Sequence, residues 1–304
     1  MTKNKTKRSL SAKATENLYG YLFILPNLIG FLVFTAFGIV FSLAMSFTDW
    51  NLMRGLEDIH FVGLDNFKAM IGDRYLTASL INNALLLLVI PVTLLLAAIL
   101  ASLMNRAIYG KTGARALYFL PYVTNAVAVA TVWAALFHKT GGPVNMLLRL
   151  AGIPEESLPG WIASSKWALP ALMIIILWQN IGYDILMYSG ALQHISSDLY
   201  EAADIDGAGA VAKFFRITIP MLNPTTFMLM ILGIINSLQS WSLVQIMTGG
   251  GPGTATYVLG LYIYRSAFTT YRTGYACALS WLLCLIIFLF TLVQWQGQKK
   301  WTNE

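Results

Sequence analysis

The stretch LYEAADIDGAGAVAKFFRITIP (Leu199–Pro220) decides how the rest of the chain is read. It carries three acids, Glu201, Asp204 and Asp206, with Asp198 just before it, and it stands between two long apolar segments. Ser196 and Ser197 can cap a helix start, and Asp198 and Glu201 fall in the first turn, where the helix dipole favours acids. Gly207 can take a positive φ and end that helix. A second short helix through Phe214 and Phe215 then reaches Pro220, a residue suited to starting a further helix. Ala202, Ala203 and Ala208 are small enough for another surface to approach the backbone. The expected element is a compact helix–turn–helix knob over 196–220, projecting from an apolar body and shaped to lie in a groove of a partner.

The body is a membrane body. Of 304 residues, 57% are hydrophobic and 11% charged, against roughly a quarter charged in soluble domains. Six segments are long and apolar enough to span a bilayer, about 19–47, 80–104, 116–137, 167–189, 219–246 and 274–296, since a span needs about 20 such residues. The fold class is therefore an all-α polytopic membrane protein with six transmembrane helices. A basic tail (1–18) precedes a transmembrane domain (19–297), and a short tail (298–304) follows it. The first apolar run is too long for a signal peptide. Trp50, Trp161, Trp167 and Trp295 fall near span ends, where interfacial tryptophans anchor helices.

Lysine and arginine set the orientation. With the N-terminus inside, twelve of the twenty cations lie inside, among them Lys3, Lys5, Lys7, Arg8 and Lys13 of the tail, Arg106, Lys111 and Arg115, and Lys213 and Arg216. Both termini and the knob are thus expected in the cytoplasm. The net charge of +6 is spread over every loop, which is not the footprint of a nucleic-acid binder. Cys277 and Cys284 share one apolar run, and His60, His138 and His194 are scattered. Neither set has metal-ligand or disulfide spacing. No catalytic constellation and no P-loop occurs.

The knob sequence EAADIDGAGAVAKFFRITIP closely resembles the EAA loop of permease subunits in binding-protein-dependent ABC importers. The matching positions are Glu201, Ala202, Ala203, Asp206, Gly207, Ala208, Phe214, Ile219 and Pro220. FILPNLIGFLVF (Phe23–Phe34), FVGLDNFKAM (Phe61–Met70) and MTGGGPGTATYVLGLYIYRSAF (Met247–Phe268) are similar to the carbohydrate-uptake branch of that family. The resemblance implies a type I ABC importer permease fold, with the knob as a coupling helix seated in a separate ATPase. It also implies a second homologous permease forming a heterodimer, two cytoplasmic ATPase subunits that hold ATP and Mg, and an extracytoplasmic substrate-binding protein. No cofactor is implied for this chain, and the cell membrane of a prokaryote is the implied location.

Polar residues inside spans mark a path or bridge helices. Asn236, Gln239 and Ser240, spaced i, i+3, i+4, share one helical face, with Trp241 beside them. Span four carries Trp178, Gln179, Asn180, Tyr183 and Asp184, with Trp178 roughly 16 Å into the helix. Span three adds Tyr122, Thr124 and Asn125. Aromatic faces and amides together suit a sugar, so Trp178, Gln179, Tyr183, Asn236, Gln239, Ser240, Trp241 and Asn125 are the expected path. Asp184 is expected to make a structural hydrogen bond or ion pair. GGGPG (Gly249–Gly253) is expected to be a flexible outer loop. The function expected is that of a permease for an oligosaccharide, with glycerol-phosphate or another small polar solute as the alternative. An ion-coupled secondary transporter would want broken helices and ion ligands at mid-membrane, and the residues offer neither clearly.

Overall fold

The computed structural model describes residues 5–55, 57–105 and 111–301; Lys3 and Arg106 of the orientation argument lie outside them. The described chain is helical, apart from one isolated antiparallel bridge between Thr48 and Phe61. Five continuous helices are long and apolar enough to cross a membrane: α1 (Tyr19–Met45), α2 (Arg74–Asn105), α5 (Ala168–Leu192), α7 (Ala210–Gln239) and α10 (Thr273–Gly297). A bent pair, α3 (Lys111–Val123) and α4 (Ala126–Leu136), passes the same test when the two are taken together as one broken span. Between them lie α6 (Ser197–Ile205), α8 (Ser242–Met247) and α9 (Leu259–Phe268).

Two breaks correct the simple reading of continuous spans. The segment expected over 116–137 turns by 102° between α3 and α4. Asn125 leaves the helical conformation there, and its side chain caps α4 by accepting from the Val127 N–H (2.8 Å). The segment expected over 219–246 ends its long helix at Gln239, Ser240 is extended, and α8 follows separately. At the other end of α7, Pro220 stands in the first turn of the regular α-helical part, which begins at Ile219, as expected. The helix runs unbroken from Ala210, and a π-helical turn over Phe214–Thr218 immediately precedes the proline. A regular turn would drive the Pro220 ring against the carbonyl four residues back; the wider turn relieves that clash.

In lipid, apolar area alone does not hold helices together, so close backbone contact and hydrogen bonds do. Ala97, Ala98 and Ala101 of α2 are fully or almost fully buried where α2 packs along α5. Where α3 crosses α5, a Cβ on Gly182 would overlap the Tyr118 carbonyl oxygen. Two buried amides of α2 tie in the far elements: Asn82 donates to the Thr254 and Tyr257 carbonyls (2.9 and 3.0 Å). Asn83 accepts from the Leu259 N–H (3.1 Å) and faces the Leu238 carbonyl at 3.5 Å, bridging the end of α7 to the start of α9. By contrast, α1 buries none of its apolar window, and only its Phe37–Met45 part leans on α10.

Trp161 is not an interfacial anchor. It is buried, stacked on Phe137 at 4.4 Å, and its indole N–H donates to Asn145 Oδ1 (2.7 Å). It belongs to an apolar cluster with Leu172, Ile175 and Val244, while a second cluster gathers Ile185, Tyr188, Leu192 and Leu222 nearer the knob. Along α5 the polar run from Gln179 to Asp184 falls between these two clusters.

Candidate functional site

The knob is built by local hydrogen bonds. Ser196 Oγ accepts from the Asp198 N–H (3.3 Å) and starts α6. At the other end Gly207 takes φ +73°. The Ala208 N–H donates to the Ala203 carbonyl (2.8 Å) and the Gly207 N–H to the Asp204 carbonyl (3.0 Å). That pair is a Schellman closure, and the left-handed residue it needs costs least when it is glycine. Lys213 pairs with Asp204 at 2.5 Å, and the Tyr200 hydroxyl meets Thr218 Oγ1 at 2.9 Å, so α6 is clamped to the first turns of α7. Glu201, Ala202, Asp206 and Gly207 are exposed, Ala203 and Ala208 are half-buried, and Ile205 at the tip is 88% exposed. The product is a braced projection with an apolar tip.

A cavity of about 400 Å³ lies beside the polar run of α5. Gln179, Asn180, Tyr183 and Asp184 line it from α5, Asn236 and Ser237 from α7, Tyr122 from α3 and Thr93 from α2, with Ser240 and Ser242 at the break after α7. Tyr122 and Tyr183 stack at 4.6 Å and form one aromatic wall. Four of the expected path residues, Gln179, Tyr183, Asn236 and Ser240, therefore share this cavity.

The other four lie elsewhere. Trp178 points away, with its indole edge-on to Trp133 (5.5 Å) and 39% of its surface exposed. Gln239 is exposed, off the cavity lining. Trp241 stacks on Tyr264 at 4.4 Å, and Asn125 is spent on capping α4. Asn236 and Gln239 both lie within α7, but only Asn236 lines the cavity; Ser240 reaches it from the extended residue that follows the helix end. Thr93, Ser237 and Ser242 were missed. Ser237 is adjacent to Asn236 and could have been found, whereas nothing in the apolar run around Thr93 points to it. Asp184 is corrected too: among the described residues its carboxyl has no hydrogen bond or ion pair, and it faces the cavity.

A larger hollow, about 510 Å³, opens at the root of the knob between α2 and α7, walled mainly by Ile99, Leu103, Leu192, Phe214 and Phe215. Its walls suit apolar contact rather than a sugar.

At the end of the molecule away from the knob, the GGGPG segment is a tied turn, not a flexible loop. Arg265 donates to the Gly249 carbonyl (2.7 Å), and Thr256 Oγ1 meets Thr248 Oγ1 (2.7 Å) and the Gly251 carbonyl (2.9 Å). Beside it Asp73 caps α2 by accepting from the Tyr75 and Leu76 N–H groups, and its second oxygen accepts from the Tyr262 and Tyr275 hydroxyls. Partial burial opposes ionisation of Asp73, but these hydrogen bonds outweigh it and hold its pKa below the ordinary carboxylate value.

The family model for the binding-protein-dependent transport system inner membrane component matches residues 93–301. The chain is 34% identical to the probable ABC transporter permease protein YesP of Bacillus subtilis, over 98% of this chain and 95% of that protein. It is 32% identical to the lactose transport system permease protein LacF of Rhizobium radiobacter, over 97% and 98%. In fold it is similar to a chain of a bacterial alginate ABC transporter solved in complex with an alginate pentasaccharide-bound periplasmic protein. That match has a TM-score of 0.79 and 21% identity, over 93% of this chain and 94% of that one. This chain belongs to the family of binding-protein-dependent transport system inner membrane components.

Proposed function

We propose that this chain is one permease subunit of an ATP-driven importer and forms half of the path for an oligosaccharide. The carrying observation is that one continuous helix, α7, joins the braced knob to the polar cavity. Ala210 beside the knob and Asn236 in the cavity lie on that helix, roughly 39 Å apart at 1.5 Å per residue. A rigid rod of that length carries a movement of the knob to the residues around a solute. Amides, hydroxyls and the Tyr122–Tyr183 wall suit the hydroxyls and flat faces of sugar rings, and permeases named for lactose and other sugars are among the relatives.

In this reading two cytoplasmic ATPase subunits bind ATP and Mg, and each seats a knob through Glu201, Ala202, Ala203, Asp206, Gly207 and Ala208. A second, homologous permease supplies the other half of the path in a heterodimer. An external binding protein delivers the solute, and the assembly sits in a prokaryotic cell membrane with both termini and the knob in the cytoplasm. ATP closes the ATPase pair, draws the knobs together and shifts the two-state membrane domain toward its outward-open form. The alginate complex, with its periplasmic protein, supports the binding-protein partner by likeness of fold.

The test is affinity purification of this chain from its native membrane, followed by reconstitution. A second permease and an ATPase should co-purify, and a glycan-loaded binding protein should raise ATP hydrolysis. A thiol probe at Lys213→Cys should react from the cytoplasmic side and one at Asp65→Cys from outside. Purification of the chain alone, or reversed labelling, would sink the reading.

A further inference from the structure

Asp184 is 9% exposed, lies near the middle of α5 and faces the cavity. Several polar groups near it are engaged elsewhere. From α2 the cavity receives Thr93, whose hydroxyl is bonded to the Val89 carbonyl (2.8 Å). Asn180 on its own helix donates to the Ile176 carbonyl (2.8 Å). Tyr188, one turn along, pairs with Thr226 (2.9 Å). From α3 and α7 come Tyr122, Asn236 and Ser237. Among the described lining residues there is no lysine, arginine or histidine, and Asp184 is the one carboxylic acid.

A buried carboxylate without a protein partner is costly and keeps its charge only where water or solute hydroxyls reach it, as in a path; such acids persist in spans at functional positions. We propose that Asp184 sets the charge selectivity of the path: it accepts hydrogen bonds from the hydroxyls of neutral glycosides and turns away anionic ones. This rests on the reading of the cavity as a solute path. The two oxygens of a carboxylate can accept from two neighbouring hydroxyls of a sugar ring, which replaces the protein donors Asp184 lacks. A glycan bearing a uronate, sulfonate or phosphate group brings a like charge into a low-dielectric space with no cation to offset it. The half of the path on this chain therefore suits neutral oligosaccharides.

The experiment reads charge directly and needs no knowledge of the natural solute. In the assembled complex, with Cys277→Ala and Cys284→Ala, a single reporter Ser240→Cys is placed on the cavity wall. Its labelling rates by a cationic and an anionic methanethiosulfonate are measured at pH 8, in each nucleotide state, and divided by the rates for a free thiol. With Asp184 present the cationic reagent should be favoured over the anionic one by more than about tenfold, because one negative charge in the cavity speeds the first and slows the second. Asp184→Asn should bring the ratio to that of the free thiol, and Asp184→Glu should keep it. If Asp184→Asn fails to assemble, the ratio with Asp184 in place still decides: no cationic preference overturns the proposal. An unchanged ratio in Asp184→Asn also overturns it and leaves the path reading standing. If neither reagent labels the reporter in any nucleotide state, the path reading falls and the charge filter falls with it.

Discussion

In the knob, the hydrogen bonds that shape the turn join residues at most eighteen positions apart, as in Tyr200 with Thr218. The cavity draws on residues from Leu86 to Leu243, and no single stretch of sequence defines it. Yet the two are joined by α7, which starts beside the knob and reaches the cavity. The difference teaches where each is vulnerable. A change inside the knob alters a local conformation and leaves the helices packed. The cavity depends on how closely four helices approach, so a change far from any lining residue can destroy it.

Gly182 gives the largest expected effect and tests that dependence. A side chain there has to displace the α3 backbone at Tyr118, so Gly182→Val should destabilise by more than about 4 kcal/mol, the range of severe overpacking. The check is the yield and thermal midpoint of the purified complex; normal assembly would mean that the α3–α5 crossing does not hold the cavity.

Next comes Gly207→Val. A β-branched residue held at positive φ costs on the order of 1–2 kcal/mol, and nothing lies within 4 Å of a Cβ built there. Insertion and assembly should therefore survive while glycan-stimulated ATP hydrolysis and uptake fall several-fold. Gly207→Asn should recover much of the activity, because asparagine tolerates this conformation. Wild-type uptake by Gly207→Val would show that the knob's shape is not what couples it.

A smaller effect separates Asn236 from Gln239. Asn236→Leu removes a cavity amide worth about 1 kcal/mol to a bound hydroxyl, so uptake should drop several-fold at unchanged basal ATP hydrolysis. Gln239→Leu, off the lining, should transport within about twofold of wild type. Equal losses in the two variants would place Gln239 in the path beside Asn236.

The smallest effect is expected at Asp73, whose folded-state pKa is lowered below the ordinary 3.8. Its contribution to stability is fully present above that ordinary value and is lost as pH falls through the lowered one. The complex should lose thermal stability between pH 4 and more acid conditions, and Asp73→Asn should flatten that loss by no more than about 1 kcal/mol, given its exposure. Parallel pH profiles for the two proteins would exclude Asp73 as a contributor.

What the residues alone determined is what depends on local chemistry and on lipid. Length and hydropathy set six crossings, because backbone groups in a bilayer must pair within a helix. Ser196 and Gly207 set the knob, because a cap and a left-handed residue act within one turn. What only the tertiary structure decided is where long apolar runs stop and what their polar residues face. Span three bends at Asn125, and α7 ends at Gln239, where Asn83 of α2 lies 3.5 Å from the Leu238 carbonyl. That contact comes from 155 residues away, and no local pattern can anticipate it. Trp178 and Trp241 pack on other rings, and Asp184 faces the cavity rather than a partner, for the same reason. In a lipid solvent a polar or aromatic side chain is satisfied by whichever helix approaches it, and that approach is a property of the assembled bundle.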